Sequence, residues 1–199
     1  MEALDHRLFF WIYEPHPHGL TLFLVAALTA CGSGWAMIAL VPMLAVARLR
    51  RLTFWLTATL LLNAIVVFLI KVLVGRDRPF VALAGVHPSL SSPTDNSFPS
   101  GHATGSFAFA FFVVAVCLAA RPRGPLHRAV ALGVVLIATG IGISRVYLGV
   151  HFPGDVTAGA ILGASLGYVG GRLYAMRSRT PPGLLTNRVS SAGTGKSYS

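Results

Sequence analysis

Residues 99–120 read PSGHATGSFAFAFFVVAVCLAA. From Ala103 to Ala120 there is no charge, and an apolar run of that length matches a helix crossing roughly 30 Å of hydrocarbon. In front of it stand Pro99, Ser100, Gly101 and His102, so a hydroxyl, an accessible backbone and an imidazole arrive together at one end of a span. Outward from this run the pattern repeats, with further charge-free stretches at Gly19 to Ala47, Leu52 to Ile70, Ala129 to Ser144 and Val156 to Gly171. The expected fold class is therefore an all-α polytopic membrane helical bundle. Five spans are the simplest count. Gly32-Ser33-Gly34 interrupts the first run, which predicts either a short re-entrant or interfacial piece followed by a span from near Trp35, or two crossings and six spans in all.

Composition agrees with a membrane chain. Of 199 residues, 54% are hydrophobic and 11% charged, which excludes an ordinary water-soluble domain. The formal charge of +10 does not point to nucleic acid, because the bases lie in short clusters between the apolar runs. Arg48, Arg50, Arg51, Arg121, Arg123, Arg128 and the bases from Arg172 onward fall on one side with no acid. Every acid falls on the other side, beside Arg7, Lys71, Arg76, Arg78 and Arg145. The positive-inside rule then places the arginine-only loops in the cytoplasm and the acid-bearing loops outside. Three parts are expected: an interfacial N-terminal segment over 1–18, a membrane-embedded domain over 19–177 and a disordered cytoplasmic tail over 178–199, rich in Ser, Gly, Thr and Pro. Cys31 and Cys117 both sit inside apolar runs and read as small packing residues.

Alternation of chain direction puts the loops after the second and fourth runs on one face of the membrane. Together they hold Lys71, Arg78, Ser100, Gly101 and Arg145, a set of fixed donors suited to an oxyanion or phosphate. They also hold His102 and His151, one able to attack and the other to protonate a departing oxygen. Asp155 lies four residues after His151, with Pro153 between them able to open a helix, so its carboxylate can orient the imidazole.

At these residues the chain resembles the phosphatidic acid phosphatase type 2 superfamily, whose fold is shared with the vanadium haloperoxidases. Lys71, six residues and Arg78-Pro79 resemble the first motif, Pro99-Ser100-Gly101-His102 the second, and Ser144-Arg145, five residues, His151, three residues and Asp155 the third. The resemblance implies that His151 is a nucleophile forming a phosphohistidine, that Asp155 orients it, and that His102 protonates the leaving oxygen and then activates water. It implies that Lys71, Arg78, Ser100, Gly101 and Arg145 bind phosphoryl oxygens. No metal or other cofactor is expected, since lysine and arginine supply the positive charge.

A site at the outer boundary of the bilayer suits a lipid phosphate or diphosphate. Phe80, Asn96-Ser97-Phe98 and the run from Val146 to His151 look most like bacterial undecaprenyl-pyrophosphate phosphatases, which recycle the cell-wall carrier lipid; several of those place Asp where this chain has Gly101. The expected reaction is hydrolysis of undecaprenyl pyrophosphate to undecaprenyl phosphate. Alternatives are a phosphatidate, phosphatidylglycerophosphate or lipid A phosphatase, a lipid phosphotransferase, or an inactive lipid-binding or transport homologue. The expected partners are that lipid and the bilayer; the pattern does not specify an oligomeric state.

Other residues receive plainer readings. Arg76 and Asp77 read as a local ion pair or as substrate contacts, Asp95 as a turn cap in preference to a residue that positions substrate, and His6, His16, His18, His87 and His127 as solvated or interfacial. Gly159, Gly163, Gly167 and Gly171 recur every four residues and predict a close helix contact within the bundle. Asn63 is expected to face the interior, because an amide in lipid needs a partner.

Overall fold

The computed structural model describes residues 2–33, 44–47, 49–120 and 124–179. Seven helices make up the described fold: α1 (Glu2–Ile12), α2 (Gly19–Cys31), α3 (Arg50–Val74), α4 (Pro79–Ala82), α5 (Gly101–Ala119), α6 (Pro125–Tyr147) and α7 (Pro153–Arg179). The chain is an all-α, multi-pass membrane bundle. Among the described residues, three stretches are long and apolar enough to cross a bilayer: Arg50–Ala82, Gly101–Ala119 and Pro125–Tyr147. Their outer faces carry large exposed apolar side chains such as Phe54, Ile65, Leu73, Leu132 and Leu136, as lipid-facing helices do.

Five or six such spans were expected, and two of the expected runs differ for identifiable reasons. The helix α2 has only 13 residues and ends at Gly32, at the predicted interruption. A Cβ on Gly32 would meet Ile141, Ser106 and His102, so this end of α2 lies against the start of α5. The span expected from near Trp35 falls outside the described residues, as does the predicted tail from residue 180. Helix α7 has 27 residues, but its glycines and serines dilute its apolar character.

The contact that organises the bundle is α5 on α7. Cβ atoms placed on Gly159, Gly163, Gly167 and Gly171 would collide in turn with atoms of Ser100 and Thr104, Thr104, Ala108 and Phe112. Both series advance by four residues, so the two helices run parallel, one ridge lying in the other's groove at backbone contact. The predicted small-residue stripe is thus an intramolecular seam. Its register brings the N-terminus of α5, with Ser100 and His102, level with the N-terminus of α7 and Asp155. Ser100 N–H donates to the Asp155 carbonyl at 3.1 Å across this junction.

Candidate active site

Three chain segments converge at this end of the bundle. The end of α3 supplies Lys71, and its helix closes on Gly75 in the left-handed conformation, φ 64°. The next turn aims Arg78 inward, with Pro79 opening α4. The third segment, Leu148 to Phe152, leaves α6 through Gly149 at φ 75°; a Cβ there would strike the ring of Tyr13, so this turn needs glycine both for its backbone and for its space.

His151 is buried, and its two ring nitrogens have different neighbours. Arg78 Nη1 lies 3.3 Å from Nε2. A guanidinium only donates, so Nε2 carries the lone pair and the ring proton resides on Nδ1. Nδ1 faces Ser97 Oγ at 3.3 Å and Asp155 Oδ2 at 3.6 Å. Ser97 Oγ in turn donates to Asp155 Oδ2 at 2.5 Å, linking imidazole to carboxylate. Burial pulls His151 down to about 4; Asp155 opposes this, while the charges of Arg78 and Arg145 reinforce it. The ring is therefore neutral at physiological pH, with Nε2 available as a base or nucleophile.

Asp155 is fully buried and saturated with donors. Besides Ser97, it accepts from Phe152 N–H at 2.9 Å and Arg76 Nη1 at 2.6 Å. Arg76 Nη2 reaches back to Asp5 Oδ2 at 2.7 Å, and Asp5 Oδ1 accepts from Gly154 N–H at 2.7 Å. The Arg76 guanidinium also lies over the Phe152 ring, 4.4 Å from its centre, with His6 stacked on that ring. Phe9 of α1 is fully buried against Phe152 and Val146. The N-terminal helix is thus packed onto the His151 loop. Arg76 pairs across the fold with Asp5 and Asp155 rather than with its neighbour Asp77, and His6 is packed rather than solvated.

The phosphate-binding candidates divide into two groups. Lys71 and Arg78 are buried and both engage Asp95: Arg78 Nη2 at 2.6 Å from Oδ1 and Lys71 Nζ at 3.0 Å from Oδ2. Asp95 is therefore an ion-pair partner, not the turn cap expected. Burial would push its carboxyl up, but the hydrogen bonds and charges of Lys71 and Arg78 outweigh this and hold it below its ordinary range. In the second group, Ser100 Oγ and Arg145 Nε are buried with no hydrogen-bond partner among the described residues. Arg145 is otherwise held by Thr29, which accepts from its Nη1 at 2.7 Å. An unmade bond at a buried donor costs about 1–3 kcal/mol, so these two are donors to spare for a bound anion.

His102 stands in the first turn of α5, within electrostatic reach of Arg145, His151 and Arg78. It lines the mouth of a cavity of about 670 Å³ together with Lys71, Asp95 and Gly101. Below these polar residues the walls are apolar, formed by side chains such as Leu60, Val67, Phe109 and Ile137. Asn63 faces this interior as expected, but its Oδ1 has no hydrogen-bond partner among the described residues.

All eight sequence-derived candidates thus gather at one end of the bundle. Sequence reasoning did not find roles for Ser97, Arg76 and Asp5. None has a spacing signal: each acts through a partner more than fifty residues away along the chain.

Comparison with known proteins agrees with this geometry. The PAP2 superfamily profile matches residues 52–179, nearly all of the membrane bundle described above. The chain belongs to the PAP2 superfamily. Similar proteins include the decaprenylphosphoryl-5-phosphoribose phosphatase of Mycobacterium tuberculosis, 38% identical over 156 residues, covering 72% of this chain and 76% of that one. A putative undecaprenyl-diphosphatase of Escherichia coli, YbjG, is 34% identical over 134 residues, covering 64% and 63% of the two chains. The crystal structure of Aquifex aeolicus LpxE superposes with a TM-score of 0.69 at 27% identity, covering 84% of this chain and 94% of the other. This PAP2 protein is accordingly a membrane lipid-phosphate hydrolase by family. Residues 2–33, with α1 and Asp5, lie outside the PAP2 match.

Proposed function

We propose that this PAP2 protein removes the terminal phosphoryl group from a polyprenyl-linked lipid phosphate, through a phosphohistidine on His151, at the extracytoplasmic surface. The observation that carries this reading is a neutral His151, fixed in the Nδ1–H tautomer beside Arg78, in a cationic cluster whose Lys71 also lines, with His102, a largely apolar cavity. His151 Nε2 attacks phosphorus and the P–O bond to the lipid breaks, while His102 delivers its proton to the leaving oxygen. Water then attacks the phosphohistidine, His102 takes its proton, and inorganic phosphate leaves with Nε2 restored. Lys71, Arg78, Arg145, Ser100 and the backbone at Gly101 hold the charge that builds on the three equatorial oxygens. The apolar cavity accepts the start of the lipid chain.

Two headgroups fit. The similarity to the mycobacterial phosphatase is the higher and covers more of the chain, which favours a phosphomonoester borne by a polyprenyl-linked sugar. The similarity to YbjG favours undecaprenyl diphosphate, the substrate expected from the sequence. Purified protein in detergent with EDTA, assayed for phosphate release from both lipids, phosphatidate and a lipid A phosphate, tests the reading. Release from a polyprenyl substrate at kcat/KM at least tenfold above the other two supports it, and preference for either of those refutes it.

A further inference from the structure

Lys71 and Arg78 are two of the three cations expected to grip a phosphoryl group, yet both are already bonded to the segment at Asp95. The Asp95 carboxylate places one oxygen on each of them, 2.6 Å from Arg78 Nη2 and 3.0 Å from Lys71 Nζ. The adjoining backbone continues the match: Arg78 Nε donates to the Asp95 carbonyl at 2.7 Å, and Lys71 Nζ donates to the Asn96 carbonyl. The arrangement is a planar two-oxygen anion held by two donors, as a phosphate would be. Its members differ in exposure: the Asp95 side chain is 57% exposed, against 5% for Arg78 and 11% for Lys71. The cations are fixed, and the carboxylate stands on the solvent side at the cavity mouth.

We propose that Asp95 is an internal competitor for the phosphoryl seat, one that a terminal phosphoryl group displaces and a phosphodiester does not. This rests on the phosphatase reading above and deepens it into a substrate class. A terminal phosphoryl group carries about −1.5 to −2 charge and three strong acceptor oxygens at neutral pH, so it out-binds a single carboxylate. A phosphodiester carries one negative charge and two free oxygens, no more than Asp95 offers. Asp95 has the further advantage of being tethered, which gives it an effective concentration in the millimolar range or above. Phosphodiester headgroups crowd every bilayer surface, and a site built only of cations would be occupied by them. With Asp95 in place, the apparent affinity of any ligand falls by the fraction of time the seat is free, and only the stronger anion retains useful binding.

The experiment measures binding by calorimetry to the full-length protein in detergent, using inorganic phosphate and a soluble short-chain phosphatidylglycerol as probes. Native protein is compared with Asp95→Asn and with Asp77→Asn, which removes an equal charge from an exposed neighbour that makes no ion pair among the described residues. In Asp95→Asn the phosphate Kd is expected to fall about tenfold, as for a seat free roughly a tenth of the time, and the diester becomes a measurable, phosphate-displaceable ligand. Asp77→Asn is expected to match the native protein. An unchanged or weakened phosphate Kd in Asp95→Asn, continued exclusion of the diester, or equal tightening in Asp77→Asn each overturns the proposal while leaving the phosphoryl site intact. Failure of all three proteins to bind phosphate removes the site itself and the phosphatase reading with it. Thermal melting confirms folding, and Asp95→Ser serves as a second variant should the asparagine form melt early.

Discussion

At the scale of single residues, the chemistry turns on which nitrogen of His151 is free. His151→Ala should lower phosphate release by roughly 10³-fold or more, and His102→Ala by about 10²–10⁴-fold, the usual worth of a general acid and base; single-turnover assays on folded protein check both. The acid limb follows from burial. His151 is pulled from its ordinary 6.5 to about 4, so its neutral, reactive form persists as pH falls and is lost only through pH 4. In terms of stability, the unfolded chain takes up this proton first, so the folded state loses ground as pH drops from 6.5 toward 4. A kcat/KM profile that instead falls with a midpoint near 6.5 would contradict the assigned environment. The histidines, Lys71, Arg78, Arg145 and Asp155 were legible in the sequence because each belongs to a short motif whose spacing expresses one local turn. Ser97 was not, since a serine two residues ahead of Pro99 looks like any loop serine until the chain folds Asp155 onto it. Ser97→Ala should cost about tenfold in kcat with little change in KM, because it acts on the ring and not on the substrate.

At the scale of elements, the glycine stripe on α7 was readable as a close contact, and its four-residue period already implied a straight seam. Its partner was not readable, because the matching series at the start of and along α5 mixes serine, threonine, alanine and phenylalanine and contributes mostly backbone atoms. Gly163→Leu should force α5 and α7 apart, at a cost of about 1–3 kcal/mol or more from overpacking, seen as a lowered melting temperature. The same displacement separates His102 from His151, so activity should fall further than stability alone explains. The role of α1 was illegible for a different reason. Its aromatic residues look like a membrane-surface anchor, and only the tertiary fold shows Phe9 spent on Phe152 and Asp5 spent on Arg76 and Gly154. Asp5→Asn should lower kcat several-fold at nearly constant KM by loosening the support of Asp155, and Asp5→Glu should recover part of it; a loss that vanishes once activity is normalised to the folded fraction, measured by thermal melting, would indicate general unfolding instead.

At the scale of the whole molecule, the proposed orientation, with the cationic pocket outside, rests on the charge asymmetry of the loops. A cysteine introduced at Ser91 should react with an impermeant reagent on intact cells, and labelling only after lysis would reverse that orientation. The number of crossings was less legible than the class of fold, because apolar runs announce α3, α5 and α6 clearly while the short α2 and glycine-diluted α7 speak weakly on hydropathy alone. Asp5 is bonded to Gly154, 149 residues further along the polypeptide. A ribosome therefore releases the first half of this clasp long before the second, and the emerging helices wait through the synthesis and insertion of everything between for the support of Asp155 to be completed. Premature termination ahead of that loop would leave a chain without His151 and Asp155, and so without the proposed nucleophile and its support.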